Sequence, residues 1–399
     1  MTGRIICCIG AVLLAVSPSV AQKKEIGDAR AIIKSGKDFD KAEKMMVNLL
    51  KKSAANRENP KIYATWFDAV EGLYTQANEK LYLKQKYDTA AFFGLTKRMY
   101  EIAETLDSLD ARPDGKGRVK PAYRKDNSEM LNTLRPNLYF GGTYHIRKEQ
   151  FHEAYDYFRH YIDAAQQPLF KSYQYATTDS KMPLAAYWAT YCGYKLQDAD
   201  MTLHYSQLAL QDTSKAQFVL QYTCEAYQQQ KDEANYLNTL QEGFKRYPEY
   251  PYFFPRLADY YTSQGRYDSL LVVADEGLAV NDKNTLFLMA KSLALLNLER
   301  YDECITASLS LISQNDTLPE PYFNIATCYL NRALEIEQQR GLRKNREQLR
   351  QLYAEARPYM EKYRQLVPDD STRWAPALYR IYLNLNMGKE FEEIDRLMK

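Results

Sequence analysis

The chain has 399 residues, 45% hydrophobic and 26% charged, enough apolar material for a large core and too much for a largely disordered protein. Its 53 Lys and Arg stand against 51 Asp and Glu, a formal charge of +2, so it lacks the basic excess of a phosphate-binding surface and no nucleic-acid partner is expected. The 34 Tyr beside 16 Gly suit helices packed through large amphipathic rings better than a loop-rich fold.

Residues 1–21 read as a secretory signal peptide. Arg4 is the basic start, Ile5 to Val16 the apolar run and Ser19-Val20-Ala21 a small-residue cleavage site, so the mature chain would begin at Gln22. At 1.5 Å per residue the apolar run covers about 18 Å, short of a ~30 Å hydrocarbon core, which favours cleavage over anchoring. Cys7 and Cys8 open that run instead of closing it, unlike the lipidated cysteine of a lipoprotein. The expectation is export across the inner membrane to the periplasm, without stable membrane insertion after cleavage.

Residues 22–107 carry divergent helical repeats, in which Phe39-Asp-Lys-Ala42, Lys86-Tyr-Asp-Thr-Ala-Ala91 and the run to Leu106 read as second helices of hairpins. Residues 108–134 contain the breakers Arg112-Pro-Asp-Gly-Lys-Gly117 and Lys120-Pro121, and predict a loop or hinge. Residues 135–399 form the longer array. Leu138-Tyr-Phe-Gly-Gly-Thr-Tyr144 and Gln150-Phe-His-Glu-Ala-Tyr-Asp-Tyr-Phe158 make its first hairpin, with Gly142 and Ala154 at small positions and Phe151 and Phe158 at large ones.

Beyond it a 34-residue period appears. Tyr267-Asp268 recurs as Tyr301-Asp302, Ala274 as Ser308 and Gly277 as Leu311. The same frame gives one small residue per first helix (Cys224, Ala258, Ser292, Ala326), and three positions on a large one (Tyr227, Tyr261, Leu295, Tyr329). Leu220, Phe254, Leu288 and Tyr322 stand one turn earlier on that stripe. Near the C-terminus, Ala356, Met360, Tyr363 and Pro368 mark another second helix, after an insertion near 331–350 that reads as one lengthened hairpin. Phe391 to Met398 caps the stack with a charged side.

These positions resemble the small and aromatic consensus of the tetratricopeptide-repeat family, of a secreted or periplasmic bacterial type. The resemblance covers most of the mature chain and implies an all-α, right-handed α-solenoid of stacked helix-turn-helix repeats.

The residues of chemistry are sparse. The four histidines are His145, His152, His160 and His204; His152 and His160 fall eight apart, roughly one face but about 12 Å along a helix, too far to share a metal. They read as partly exposed helix positions. HExxH, Cys-x-x-Cys and a phosphate loop are missing, and Gly141-Gly142 lies within a helical pattern, so neither catalytic residues, a metal nor a cofactor is expected. Asp369-Asp370, Glu392-Glu393 and the basic run Arg343-Lys-Asn-Arg346, with Arg340 and Arg350, read as solvated faces. Cys192, Cys224, Cys304 and Cys328 read as buried small residues, though an oxidising compartment permits disulfides. Triplets such as Asp88-Thr89-Ala90, Asp268-Ser269-Leu270 and Asp316-Thr317-Leu318 resemble O-glycosylation acceptors and equally suit helix caps.

The family resemblance places a binding groove on one face of each first helix. Carried over, that face is Gln221, Glu225, Tyr252, Asp259, Met289, Leu293, Phe323 and Thr327. It lacks the Lys and Asn with which some members hold a peptide's C-terminal carboxylates. The function expected is a non-enzymatic scaffold or adaptor of the bacterial cell envelope, gripping a protein or peptide partner in that groove. A partial resemblance to the helical-repeat core of outer-membrane starch-binding lipoproteins implies the alternative, carbohydrate binding in a glycan-uptake system.

Overall fold

The computed structural model describes residues 18–338 and 345–399, with side chains from Gln22 onward. Most of the expected leader, and Arg340, Arg343 and Lys344 of the basic run, lie outside the described residues. Among the described residues, no helix is long and apolar enough to cross a membrane. The chain divides into two compact units, the first ending at Lys231 and the second being Asp232–Lys399.

The first unit is a succession of antiparallel helical hairpins: α1 (Pro18–Lys34), α2 (Phe39–Lys52), α3 (Pro60–Tyr82), α4 (Thr89–Asp110), α5 (Arg124–Arg147), α6 (Phe151–Asp163), α7 (Met182–Leu196), α8 (Ala199–His204) and α9 (Ala216–Gln230). Local chemistry starts several of them. Asn59 accepts the Lys61 N–H ahead of Pro60 at the first turn of α3, and the Asp88 carboxylate accepts the Ala91 N–H at the start of α4. Helix capping therefore accounts for Asp88-Thr89. Spacing fixes the buried face: α2 buries Ala42, Met46 and Leu49, and α5 buries Ser128, Leu131, Arg135, Leu138 and Gly142.

The expected hinge at 108–134 is corrected. Only residues 111–123 are outside regular helix, because α5 already begins at Arg124. The Arg124 guanidinium makes a two-point pair with Asp107 at 2.7 and 2.9 Å, and the Asp110 carboxylate accepts the N–H groups of Ala122 and Tyr123, fixing the corner. A continuous core then crosses it. Tyr100 on α4 donates to the Leu131 carbonyl on α5 at 2.7 Å and stacks on Phe170, within a cluster running from Phe67 to Tyr222. The division between compact bodies falls at Lys231, not at the breaker-rich stretch.

The second unit comprises α10 (Glu233–Arg246), α11 (Phe253–Ser263), α12 (Tyr267–Val280), α13 (Thr285–Asn297), α14 (Tyr301–Gln314), α15 (Pro319–Gln338), α16 (Arg346–Leu366), α17 (Ser371–Leu385) and α18 (Gly388–Met398). The inserted residues lengthen α15 and α16 as a pair, joined by Tyr353 donating to Glu337 at 2.6 Å and by buried Ala333 and Ala356. Turn geometry repeats with the sequence period. Gln197, Lys231, Gly265 and Glu299, each 34 residues from the next, all take left-handed backbone with φ between 56° and 63°. Each ends a first helix, where reversal of the chain needs a positive φ.

Candidate functional site

The groove-forming helices are set by which faces they bury. On α11, Phe254, Leu257 and Tyr261 turn inward, leaving Ala258, Asp259 and Thr262 on a different face. On α13, Phe287, Leu288 and Leu295 are buried, but the opposite side is also apolar: Leu286, Met289, Leu293 and Leu296. Its one charge, Lys291, is held by Asp275 at 2.7 Å. A helix apolar all round is normally enclosed. Here Leu286 is 55% and Leu293 36% exposed, and they border a cavity of about 450 Å³. Phe254, Ala258 and Asp259 supply one wall, and Pro321, Phe323 and Asn324 of α15 another. Arg373 from α17 closes one end: it makes a two-point pair with Glu320, both bonds 2.8 Å, and lies 3.8 Å over the Phe323 ring. Its charge is thus already matched.

Behind this face the helices touch at glycine. A Cβ placed on Gly243 would stand 2.3 Å from the Phe253 ring, and one on Gly277 would stand 2.8 Å from Phe287. Gly277 and Phe287 each follow their counterparts by 34 residues, so one knob-in-gap contact is repeated at the sequence period. The fold is that of a tetratricopeptide-type repeat. The tetratricopeptide small positions Cys224, Ser292 and Ala326 are fully buried, and Gly142 receives Phe158 in the first unit as Gly277 receives Phe287.

No family model and no curated protein matches the chain. Solved structures do. The C-terminal part of a TPR repeat-containing protein from Cytophaga hutchinsonii is 11% identical, covering 64% of this chain and 92% of its own at a TM-score of 0.41. Yeast Tom70 is 14% identical over 92% of this chain and 91% of its own, TM-score 0.31. The TPR2AB domain of yeast Sti1, solved with a pHSP90 partner, is 12% identical over 74% and 98%, TM-score 0.26. At these values the assignment of the tetratricopeptide-type fold rests on the chain's own repeat geometry.

Of the eight groove residues read from the sequence, the structure gathers Asp259, Met289, Leu293 and Phe323 around one cavity. Tyr252 is a correction. It precedes α11, is 6% exposed and carries the Arg256 guanidinium 3.6 Å over its ring; the 34-residue frame that joins Gln221, Met289 and Phe323 falls instead on Pro255 of α11, which lines the cavity. Thr327 is half-buried and returns its hydroxyl to the Phe323 carbonyl at 2.8 Å, outside the cavity lining. Gln221 and Glu225 belong to α9 in the first unit, with Gln221 donating to Glu225 at 3.4 Å. Sequence reasoning missed Leu286 and Leu296, though the absence of a polar face on α13 was a visible signal. It also missed Arg373, which reaches the groove from the hairpin that follows α15 and α16 and left no local signal.

His152 and His204 are exposed, but His145 and His160 differ from the partly exposed positions expected. His145 is buried, stacked on Tyr157 and bonded through Nδ1 to Gln150 at 2.7 Å; His160 is 7% exposed and belongs to an ion network. His160 lies 3.4 Å from Glu101 and 3.4 Å from Asp156, and their ligand atoms fall within 4.8 Å of one another. The Asp156 carboxylate also holds Lys97 and, at 2.5 Å, Arg159. Those two cations already bond the Asp156 carboxylate and put positive charge beside it, which opposes a metal ion there, so the trio reads as a clamp between α4 and α6. Burial disfavours the imidazolium, yet hydrogen bonds to Asp156 and Glu101 outweigh it and raise His160 to about 9. Burial likewise raises Asp156, but His160, Lys97 and Arg159 together hold it well below the ordinary carboxylate range. Glu104 beside them is pushed up to about 7, by burial first.

Proposed function

We propose that this protein is an interaction scaffold or adaptor of the bacterial cell envelope, whose second unit grips a partner segment by seating an apolar side chain between α11, α13 and α15. The observation that carries the reading is α13: it leaves Leu286 and Leu293 in solvent beside Met289 and Phe323, around a cavity sized for one or two large side chains. Asp259, exposed on the same rim, adds a negative charge, so a basic residue beside the apolar anchor is favoured. Arg373, already matched by Glu320, makes a carboxylate clamp at that end unfavourable.

The test is selection of a random-peptide display library on the chain from Gln22, with Leu293→Asp as the counter-target. Recovered peptides should share an aliphatic or aromatic anchor next to Lys or Arg and bind Leu293→Asp at least about tenfold more weakly, 1.4 kcal/mol. Peptides that bind both proteins equally would remove the groove from the reading. The envelope setting rests on the leader-like residues 1–21 and is tested separately, by N-terminal sequencing of the chain recovered from a periplasmic fraction, which should start at Gln22.

A second reading, glycan binding, is favoured by a smaller cavity of about 280 Å³ in the first unit, where Tyr139 and the 49% exposed Phe140 stand beside Asn132, Asp179 and Lys181. Calorimetry with an oligosaccharide panel should show heat that Phe140→Ala abolishes; no heat with any sugar would discard it.

A further inference from the structure

The tip of the α3–α4 hairpin belongs to the first unit and plays no part in the groove. Here α3 continues past its core: its last buried residue is Val70 and its last half-buried one Ala77, yet the helix runs to Tyr82. Residues 78–86 are all exposed, and Leu81, Tyr82 and Leu83 are 37%, 85% and 53% exposed in succession. Backbone bonds close the turn beyond them. The Leu83 N–H donates to the Glu79 carbonyl and the Gln85 N–H to the Lys80 carbonyl, both at 2.9 Å, with Lys84 left-handed at φ 54°. The three apolar side chains are therefore held out on a fixed turn. Lys80, Lys84 and Lys86 surround them and outnumber Glu79 and Asp88, of which Asp88 caps α4 through the Ala91 N–H. None of these lysines is in an ion pair among the described residues, in contrast to Lys44, Lys52 and Lys97 of the same unit. Because the hairpins alternate in direction, the α1–α2 and α5–α6 turns end on the same edge. Each adds two exposed cations to one acid: Lys34 and Lys37 with Asp38, and Arg147 and Lys148 with Glu149.

We propose that this tip is a membrane-surface site that docks the first unit on anionic phospholipid, with Leu81, Tyr82 and Leu83 entering the headgroup layer and the lysines meeting phosphate. Charge selects the occupant. A second copy of the chain meeting this one tip to tip would set lysine against lysine, whereas an anionic lipid surface attracts all three and the cations of the neighbouring turns. Tyr and Leu flanked by Lys also suit the boundary between water and acyl chains, where the Tyr hydroxyl stays wet and the lysine stems reach past the ring to phosphate. A projecting tip fits a fluid layer that yields around it, while a protein partner would need a matching socket. The contact is peripheral: the unit rests on the surface and spans nothing.

The chain from Gln22, which keeps every described side chain, is floated with vesicles of phosphatidylcholine containing phosphatidylglycerol and with vesicles of phosphatidylcholine alone. The expected result is binding to the anionic vesicles that falls with added salt, because the lysine contribution is screened. Lys80→Gln/Lys84→Gln/Lys86→Gln should weaken it at least about tenfold, each lysine near the surface being worth roughly fivefold. Tyr82→Ser/Leu83→Ser should weaken it with every charge intact. All five positions are exposed, so helical circular dichroism and thermal unfolding should stay those of wild type. Lys116→Gln/Lys120→Gln is the control: these exposed lysines lie beyond the opposite end of α4, about 33 Å along the helix, and their loss should leave binding unchanged. Absence of binding to anionic vesicles, or equal binding to neutral ones, would overturn the proposal. An equal loss in the control would overturn it too, by reducing the effect to net charge. So would tip variants that keep vesicle binding but lose self-association in analytical ultracentrifugation, which would give the patch to a second copy of the chain.

Discussion

Gly243→Ala tests the repeated contact on which the fold assignment stands. Taken alone, the change favours the helix, since Ala exceeds Gly by about 1 kcal/mol within a helix. The new methyl, however, would stand 2.3 Å from the Phe253 ring, which is 0% exposed and has no free end to swing aside. Overpacking of this sort costs about 1–3 kcal/mol, so the net expectation is a loss of up to about 2 kcal/mol. Gly277→Ala, with Phe287 at 2.8 Å, meets the same obstacle more gently and should lose less. Gly94→Ala is the control: only the Tyr157 hydroxyl lies near its methyl, at 3.8 Å, so the propensity gain should survive as up to about 1 kcal/mol of stabilisation. Urea unfolding of each variant, with the two units resolved as separate transitions where they separate, reads these values. Shortening the ring in Gly243→Ala/Phe253→Leu should recover part of the loss. If Gly243→Ala instead stabilises the second unit as Gly94→Ala does the first, helix contact at glycine is not what holds the repeats together.

His160 should make the first unit pH-sensitive. Its folded pKa of about 9 exceeds its ordinary 6.5, so its stabilisation is complete below about pH 6.5 and is lost as pH rises through 9. At most about 3 kcal/mol is involved, and thermal melts of wild type against His160→Gln should converge across that window. Glu104 acts in the same direction at lower pH: with its folded value raised to about 7 from 4.5, stability declines between those limits, and Glu104→Gln should flatten the decline. Arg135, 6% exposed between the Tyr161 and Tyr175 rings at 3.8 Å each, also neutralises Asp179; Arg135→Ala should cost about 3 kcal/mol in chemical denaturation, and Arg135/Asp179 double-mutant cycles should show strong coupling. Gly265→Ala places a side chain at φ +63° and should cost about 1 kcal/mol in the second unit's melt, whereas Glu299→Gly at the same turn of the next repeat should cost nothing or stabilise.

Much of the helical pattern was legible because each hairpin places small and large residues at fixed offsets. Gly142 and Phe158, Ser292 and Ala326, and the 34-residue recurrence of Tyr267-Asp268 are local or periodic signals, and the structure turns each into a helix contact or a turn. The hinge was over-read at 108–134 because Pro and Gly report local breakage, while the Arg124–Asp107 pair and the Tyr100–Leu131 bond that rebuild the corner join residues on two different helices. His160 was misjudged for a similar reason: its helix neighbour Asp156 is visible in sequence, but Glu101 and Lys97 arrive from α4.

The sequence by itself determined the period, the helices and which residue types fill the inter-helix gaps, since these follow from 3.6-residue periodicity and side-chain volume. It also brought Asp259, Met289, Leu293 and Phe323 into one frame. Only the tertiary structure decided that these four meet around one cavity, that Tyr252 turns away beneath Arg256, and that Arg373 seals an end with Glu320. The physical reason is that periodicity fixes directions around a single helix axis, whereas cavities and ion pairs depend on distances between helices, which packing of the whole repeat sets.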